Sequence, residues 1–298
     1  MKGTSRFATR NGTAAVLAAT GLWLGQGATA RADDLKAAYA ITLAGFSVGE
    51  ASLSMSSTGK NYHASLAMRL SGIAGQLTGA RGAAVAAGSI TGAHPTPASY
   101  AITTTNGQAS RTVRMALQGG MVSAVEVKPP VDVFPDRVPV GAGDKANVMD
   151  PISALVMPAP HGDKPLDPAG CDRKLPVFDG VARFDVSLTY ARTDHVTLDG
   201  YGGPALICAA RYTPISGHRT SLKSTSYMAE NREMEVSLAP VGGTMLLVPV
   251  RIAVRTMFGM LEIDATKIRP GGGNMAPKLE HAQSDRSKSG RTQAGLVQ

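Results

Sequence analysis

Residues 45–49 spell G-F-S-V-G, which matches the G-x-S-x-G pattern in which serine esterases present their nucleophile. That chemistry needs a sharp turn after a strand and a helix that begins immediately after the serine, so that backbone amides can serve the oxyanion. Here residues 50–56 alternate between apolar and polar side chains, which is typical of a strand. We therefore expect a turn between two strands around Ser47, and a nucleophilic Ser47 is the alternative hypothesis.

Two further motif matches also lack their context. Residues 57–60 spell S-T-G-K, the S-x-x-K pattern of penicillin-interacting enzymes, but they lie in a predicted hairpin turn and no S-D-N or K-T-G segment accompanies them. Residues 141–145 are Gly-rich and end in Lys, without the spacing that lets a P-loop hold phosphates. Both stretches are predicted to be loops.

The histidines do not form pairs at metal-ligand spacing. They are His63, His94, His161, His195, His218 and His281. The sequence therefore predicts no metal site and no cofactor.

Two cysteines, Cys171 and Cys208, favour a disulfide, because an even cysteine count in an exported chain usually means a disulfide framework. Closing that loop of about 37 residues would stabilise the fold by roughly 4 kcal/mol in the chain-entropy model. A catalytic thiol is the alternative interpretation of either cysteine.

Polar and aromatic residues are densest around this predicted disulfide. Asp179-Gly180 is a hairpin signal, so a strand that starts near Cys171 would pair with one that begins at Val181, and residues 205–213 would add a third strand with Cys208. We take the polar and aromatic side chains near these strands as the candidate functional surface. They are Arg173, Asp179, Tyr201, Tyr212 and His218.

The first 32 residues are predicted to be a signal peptide. A basic start precedes the apolar stretch at residues 13–24, which is too short to span a bilayer, and small residues then mark cleavage near Ala30 or Ala32. No cysteine lies near the cleavage site, which argues against a lipid anchor. We expect an exported, periplasmic protein that does not span the membrane, and a retained membrane anchor is the alternative.

The charge distribution argues against a nucleic-acid partner. The formal net charge is +8, but residues 1–32 carry four basic and no acidic side chains, and residues 271–298 carry four basic and two acidic ones. Residues 33–270 therefore hold 22 basic and 20 acidic side chains, which offers no strong footprint for a phosphate backbone. The only Trp, Trp23, would leave with the signal peptide.

Alternation with a period of two dominates residues 33–270 and predicts a single all-β domain. The clearest strands lie at residues 62–70, 112–117, 183–190 and 246–254, each with one apolar and one wetter face. Turn signals at short intervals then predict one strongly curved, mainly antiparallel sheet, either an open barrel or a β-spiral.

Two short helices complete the predicted domain. The stretch from Asp150 to Val156 has Asp at the N-cap and Pro at the first helical position, so Asp150 is predicted to cap a helix rather than to act as a catalytic acid. A weaker bend or helix is expected at residues 73–78, and residues 271–298 are predicted to be a disordered tail.

Several of these segments occur together, in this order, in a known family. They are Gly45 with V-G-E-A at 48–51, D-P-I-S-A-L at 150–155, C-D-R-x-L-P-V-F-D-G at 171–180, Y-T-P-I-S-G at 212–217, V-P-V-R-I at 248–252 and F-G at 258–259. The chain resembles the bacterial domain-of-unknown-function family 3108, exported proteins of Gram-negative bacteria, over about residues 33–267. The resemblance implies a β-rich envelope protein with no established reaction and no catalytic residues to transfer. By looser analogy it is similar to lipoprotein carriers and β-spiral envelope-integrity proteins, which is a likeness of fold alone.

Two functions follow as hypotheses. The first is a non-enzymatic periplasmic protein that binds a hydrophobic or envelope-derived ligand, or a protein partner, in envelope maintenance, because a curved sheet leaves a concave apolar face. The second is an envelope hydrolase that uses a serine such as Ser47, or a carboxylate. The sequence favours the first, leaves enzymatic activity open, and names no ligand or oligomeric state.

Overall fold

The structure is a computed structural model that describes residues 33–58, 60–92, 94–160, 164–241 and 246–271. The predicted signal peptide, the predicted tail beyond Gly271 and His161 lie outside the described residues. In the part that is described, no helix has the length and apolar character needed to cross a membrane.

Within these residues the chain forms one antiparallel sheet of fourteen strands and two short α-helices. The helices are α1 (Gly72–Thr78) and α2 (Lys223–Glu230). The strands are β1 (Asp33–Leu43), β2 (Phe46–Thr58), β3 (Asn61–Leu70), β4 (Arg81–Thr91), β5 (His94–Asn106), β6 (Ala109–Gln118), β7 (Met121–Lys128), β8 (Met157–Pro158), β9 (Arg173–Phe178), β10 (Arg183–Leu198), β11 (Tyr201–Ser216), β12 (Met234–Pro240), β13 (Leu246–Thr256) and β14 (Gly259–Gly271).

The strand order consists of two meanders joined by the first and last strands. Consecutive strands pair with each other from β1 to β7, and again from β9 to β14. The two meanders meet where β1 pairs with β14, from Asp34 opposite Gly271 to Leu43 opposite Leu261. Strands β7 and β9 are the two edges and do not pair with each other, so the sheet is open.

The sheet is rolled so that its two edges approach each other around one core. That core includes Leu35 of β1, Val113 of β6, Phe178 of β9 and Val248 of β13, which come from distant places in the strand order. At the β9–β10 turn Gly180 has φ +96°, and a Cβ there would lie 2.3 Å from Cγ1 of Val113. The predicted all-β fold with a curved, open, antiparallel sheet is therefore confirmed.

Residues 148–158, which we name the plug segment, cross the inside of the rolled sheet. The amide of Val148 donates to Gly120 O (2.9 Å), and the amide of Met149 donates to Pro176 O of edge strand β9 (2.9 Å). Further on, β8 pairs with Leu246 and Leu247 of β13. The plug segment thus ties the β6–β7 turn, the β9 edge and β13 together.

The structure corrects the prediction of a helix in the plug segment. Of the predicted stretch from Asp150 to Val156, Ser153–Leu155 are helical, as a single 3-10 turn, and strand β8 follows at residues 157–158. The side-chain oxygen Oδ1 of Asp150 accepts from the amides of Ile152 and Ser153, both at 2.9 Å, so Asp150 satisfies the first amides of the turn, although Ile152 and not Asp150 occupies the cap position. Because the segment must pass from one wall of the core to the other, extended backbone replaces further helical turns.

Cys171 and Cys208 form the predicted disulfide, with 5.4 Å between their Cα atoms. Cys171 ends a 3-10 turn at Pro168–Cys171, and strand β9 begins only at Arg173, later than the sequence predicts. Both cysteines are buried in a second apolar cluster with Leu188, Leu206 and Leu238. The disulfide therefore links the segment that precedes β9 covalently to strand β11.

Candidate functional site

The inner face of strands β3–β6 borders a cavity of about 440 Å³ beside the plug segment. Apolar side chains supply most of its wall. They are Leu66, Met68, Ala84, Tyr100, Ile102 and Val113 from the sheet, Pro151 and Ile152 from the plug segment, and Val181 from the β9–β10 turn. This volume falls within the range of roughly 300–1,000 Å³ that is usual for small-molecule sites.

A row of cross-strand neighbours forms the floor of this cavity. Met68 lies opposite Gly82, Gly82 opposite Thr104, and Thr104 opposite Arg111. We name these four residues the floor row. A Cβ on Gly82 would contact Met68 Cγ at 3.6 Å and Thr104 Cγ2 at 3.5 Å. Because Gly82 has no side chain, the space between these two neighbours stays open.

A second cavity of about 410 Å³ adjoins the first. All four floor-row residues line both cavities, and Leu70, Asn106 and Pro129 extend the second one toward the far ends of the strands. The two spaces therefore share one floor. We name them together the inner groove.

Two charged side chains face the 440 Å³ cavity, Arg111 from the floor and Asp179 from the opposite wall. Asp179 is engaged by its own hairpin turn, because Oδ1 accepts from the amides of Val181 (2.8 Å) and Ala182 (2.7 Å). The Nε atom of Arg111 is buried without a hydrogen-bond partner, and its guanidinium makes no ion pair with the described residues. The floor row thus ends in a cation that has no ion-pair partner among the described residues.

A buried hydrogen-bonded chain joins the plug segment to strand β3. The Tyr62 hydroxyl lies 2.6 Å from Ser153 Oγ, which donates to Asp150 Oδ2 at 2.5 Å. Burial raises the pKa of Asp150 and also raises the pKa of the Tyr62 and Tyr100 hydroxyls. Since both carboxylate oxygens of Asp150 already accept hydrogen bonds, this group holds the plug segment to β3 rather than facing a ligand.

The predicted functional surface is only partly assembled. Asp179 alone among its five residues lines the inner groove. Tyr212 lies close to it, since burial and then the Asp179 charge raise the Tyr212 pKa, and its ring packs 5.3 Å from that of Phe184. His218 follows Gly217, where a Cβ would lie 2.1 Å from Val181 O, so His218 lies next to the residue that packs against the β9–β10 turn.

The other two members of that surface have local backbone partners. Arg173 donates to Gly170 O (2.8 Å) and Pro158 O (2.5 Å), which fixes the connection before β9. The Tyr201 hydroxyl donates to Pro204 O at 2.5 Å, at the far end of the β10–β11 hairpin. Neither residue borders the inner groove.

The sequence motifs do not assemble a catalytic centre. Ser47 is an exposed strand residue of β2, opposite Thr42 and just after the turn at residues 44–45, and β2 continues where an esterase would begin a helix. Its side chain makes no hydrogen bond to another described residue. In the same described ranges, no group of three or more His, Cys, Asp or Glu side chains is placed to hold a metal ion.

The family model described as protein of unknown function (DUF3108) matches residues 38–266. The chain belongs to this family. The resemblance predicted from the motifs is therefore confirmed, and the match spans β2 to β13 whole together with most of β1 and β14. The inner groove and the disulfide both lie within the part that matches DUF3108.

Among solved structures, a beta-barrel-like protein of the domain of unknown function DUF1849 from Brucella abortus is similar to this DUF3108 chain. The TM-score is 0.48 and the identity 10%, over 81% of this chain and 99% of that chain. No curated protein matches the sequence. A likeness this distant carries no argument about function.

Proposed function

We propose that this protein is exported to the periplasm and binds an apolar, envelope-derived ligand in the inner groove, without catalysing a reaction, as part of cell-envelope maintenance. The observation that carries the proposal is the 440 Å³ cavity with a mostly apolar wall between strands β3–β6 and the plug segment. Pockets of this kind, with few polar groups among apolar walls, are the usual form of small-molecule sites.

Export is the part of the proposal that rests on the N-terminal sequence and on the disulfide. A disulfide persists in an oxidising compartment, and residues 1–32 have the composition of a signal peptide. The N-terminal sequence of the protein recovered from a periplasmic fraction tests this. Cleavage near Ala30 or Ala32 supports export, and an intact N terminus in the cytoplasm contradicts it.

The ligand is tested first on the protein as it is isolated. Mature protein is purified gently from native periplasm and extracted with organic solvent, and the extract is examined by mass spectrometry. A stoichiometric apolar compound supports the proposal, and its release upon denaturation would show that the folded protein held it.

A cavity-filling variant then tests whether the ligand binds in the inner groove. Gly82→Leu should fill the floor shared by both cavities and weaken binding of the neutral fluorescent probe N-phenylnaphthylamine by about tenfold or more, because the leucine side chain would occupy space that the probe needs, and a tenfold loss corresponds to about 1.4 kcal/mol. Gly202→Leu is the matched control, since nothing lies within 4 Å of its Cβ position in β11. Equal probe binding by wild type and Gly82→Leu, or loss in both variants, would contradict this site.

A further inference from the structure

Two arginines line the inner groove, and Arg111 is the one with a buried, unpaired donor, whereas Arg81 at the edge of the 410 Å³ cavity is exposed. Arg111 lines both cavities, its Nε is buried, and no described acceptor satisfies that donor. Buried donors are nearly always hydrogen-bonded in folded proteins, because a lone one loses its water without compensation. An unpaired guanidinium beside an apolar cavity therefore suits an anion that comes from outside the chain.

Its neighbour on the same strand provides the contrast. Arg114 lies on the outer face of β6, where Nη1 is 3.7 Å from the Glu126 carboxylate of β7. Thus Arg114 has a carboxylate within reach, whereas Arg111 has no ion-pair partner among the described residues. Asp179, the carboxylate that lines the same cavity, already accepts hydrogen bonds from the amides of its own turn.

The type of head group follows from the donor. A guanidinium presents a planar fork that matches the two oxygens of a carboxylate, and such charged, bidentate pairs are among the strongest hydrogen bonds. A neutral head group would leave the guanidinium charge uncompensated, and a cationic one would be repelled. The alkyl chain is placed in the 440 Å³ cavity beside the plug segment, and this volume lies toward the lower end of the usual range of ligand sites, which suits a single alkyl chain better than two.

We propose that the ligand of the inner groove is a single-chain aliphatic acid whose carboxylate pairs with Arg111 while its alkyl chain lies along the apolar wall of β3–β6. This inference rests on the proposed function, since it names the class of ligand for the same site. Thr104 completes the head-group end of the floor row, because it lies opposite Arg111 and lines both cavities.

Dodecanoate and dodecanol, which share one alkyl chain and differ in charge, test the inference on mature, disulfide-bonded protein. Displacement of N-phenylnaphthylamine at neutral pH gives both affinities. Dodecanoate should bind about tenfold or more tightly than dodecanol, as expected for hydrogen bonds to a charged group. Arg111→Gln should lower the dodecanoate affinity to that of dodecanol and so abolish the preference, whereas Arg114→Gln should preserve the preference.

The outcomes separate the two proposals. Binding of both compounds with equal affinity by wild type, or a preference for the acid that survives in Arg111→Gln, overturns the role of Arg111 but leaves the apolar site in place. Binding of neither compound overturns the proposed function itself. The wild-type comparison needs no variant, so the inference stays falsifiable if Arg111→Gln does not fold, which circular dichroism would reveal.

Discussion

At the scale of single residues, Asp136 is the anchor of the segment that connects β7 to the plug segment. Its carboxylate accepts from Arg219 Nε at 3.0 Å and from the hydroxyl and amide of Ser221. The Arg219 guanidinium in turn lies 3.9 Å from the ring centroid of Phe134. The hydrogen bond from Ser221, followed by that from Arg219, lowers the pKa of Asp136 to about 2 from an ordinary 3.8.

This lowered pKa predicts a defined acid sensitivity. A carboxyl group whose pKa is lower in the folded state stabilises the fold above its unfolded pKa, and that contribution is lost as protonation sets in on acidification. The free energy of unfolding should therefore fall between pH of about 4 and about 2 more steeply in wild type than in Asp136→Asn. Urea titrations across this pH range measure it, with Ser221→Ala expected in between. Parallel curves for wild type and Asp136→Asn would contradict the assignment.

Arg111 also shows what sequence reasoning missed and which signal was available. The alternation of Val113, Met115 and Leu117 correctly identified the inner face of β6, and two residues earlier the same period places Arg111 on that face. A cation on an otherwise apolar strand face is the sequence signal that could have identified Arg111 as a candidate site residue. Its partners in the floor row come from three other strands, and only the register of the sheet brings them together.

At the scale of elements, alternation predicts the strands that carry large apolar side chains and misses those that do not. Strand β4 reads R-G-A-A-V-A-A-G-S-I-T, so its inner positions are Gly and Ala and give little contrast between faces. The same small residues leave room for the inner groove. Strand β4 is thus hard to predict for the very reason that it shapes the candidate site.

The disulfide acts on the element that precedes β9, and its removal should weaken the whole fold. Cys171→Ser together with Cys208→Ser should lower the free energy of unfolding by about 4 kcal/mol, because the closed loop no longer restricts the unfolded chain. Urea unfolding with and without dithiothreitol measures this. The reductant should lower wild type to the level of the double variant and leave the variant unchanged. Two free thiols in oxidised, denatured wild type would contradict the pairing.

At the scale of the whole molecule, the adjacency of β1 and β14 predicts tolerance to circular permutation. A short Gly/Ser linker from Gly271 to Asp33 would join chain ends that are close together, because Asp34 lies opposite Gly271, and new termini after Gly92 would follow an exposed residue whose Cβ position has nothing within 4 Å. The permutant should keep the wild-type circular dichroism spectrum and unfold cooperatively. A matched permutant opened after Ile152, which is buried in the plug segment, should fail to fold. Failure of both would contradict the β1–β14 pairing.

The pairing of the first strand with the last also sets the order of assembly. As the chain folds, β1 pairs with β2, which is next to it in sequence, but its other edge waits for β14, more than 200 residues further along the chain. Until then that edge exposes unpaired amides and carbonyls, which can recruit a strand from another chain. Contacts so distant in sequence also form slowly, because a large loop must close first. The chain is therefore vulnerable to aggregation for a long period, which ends only when β14 pairs with β1.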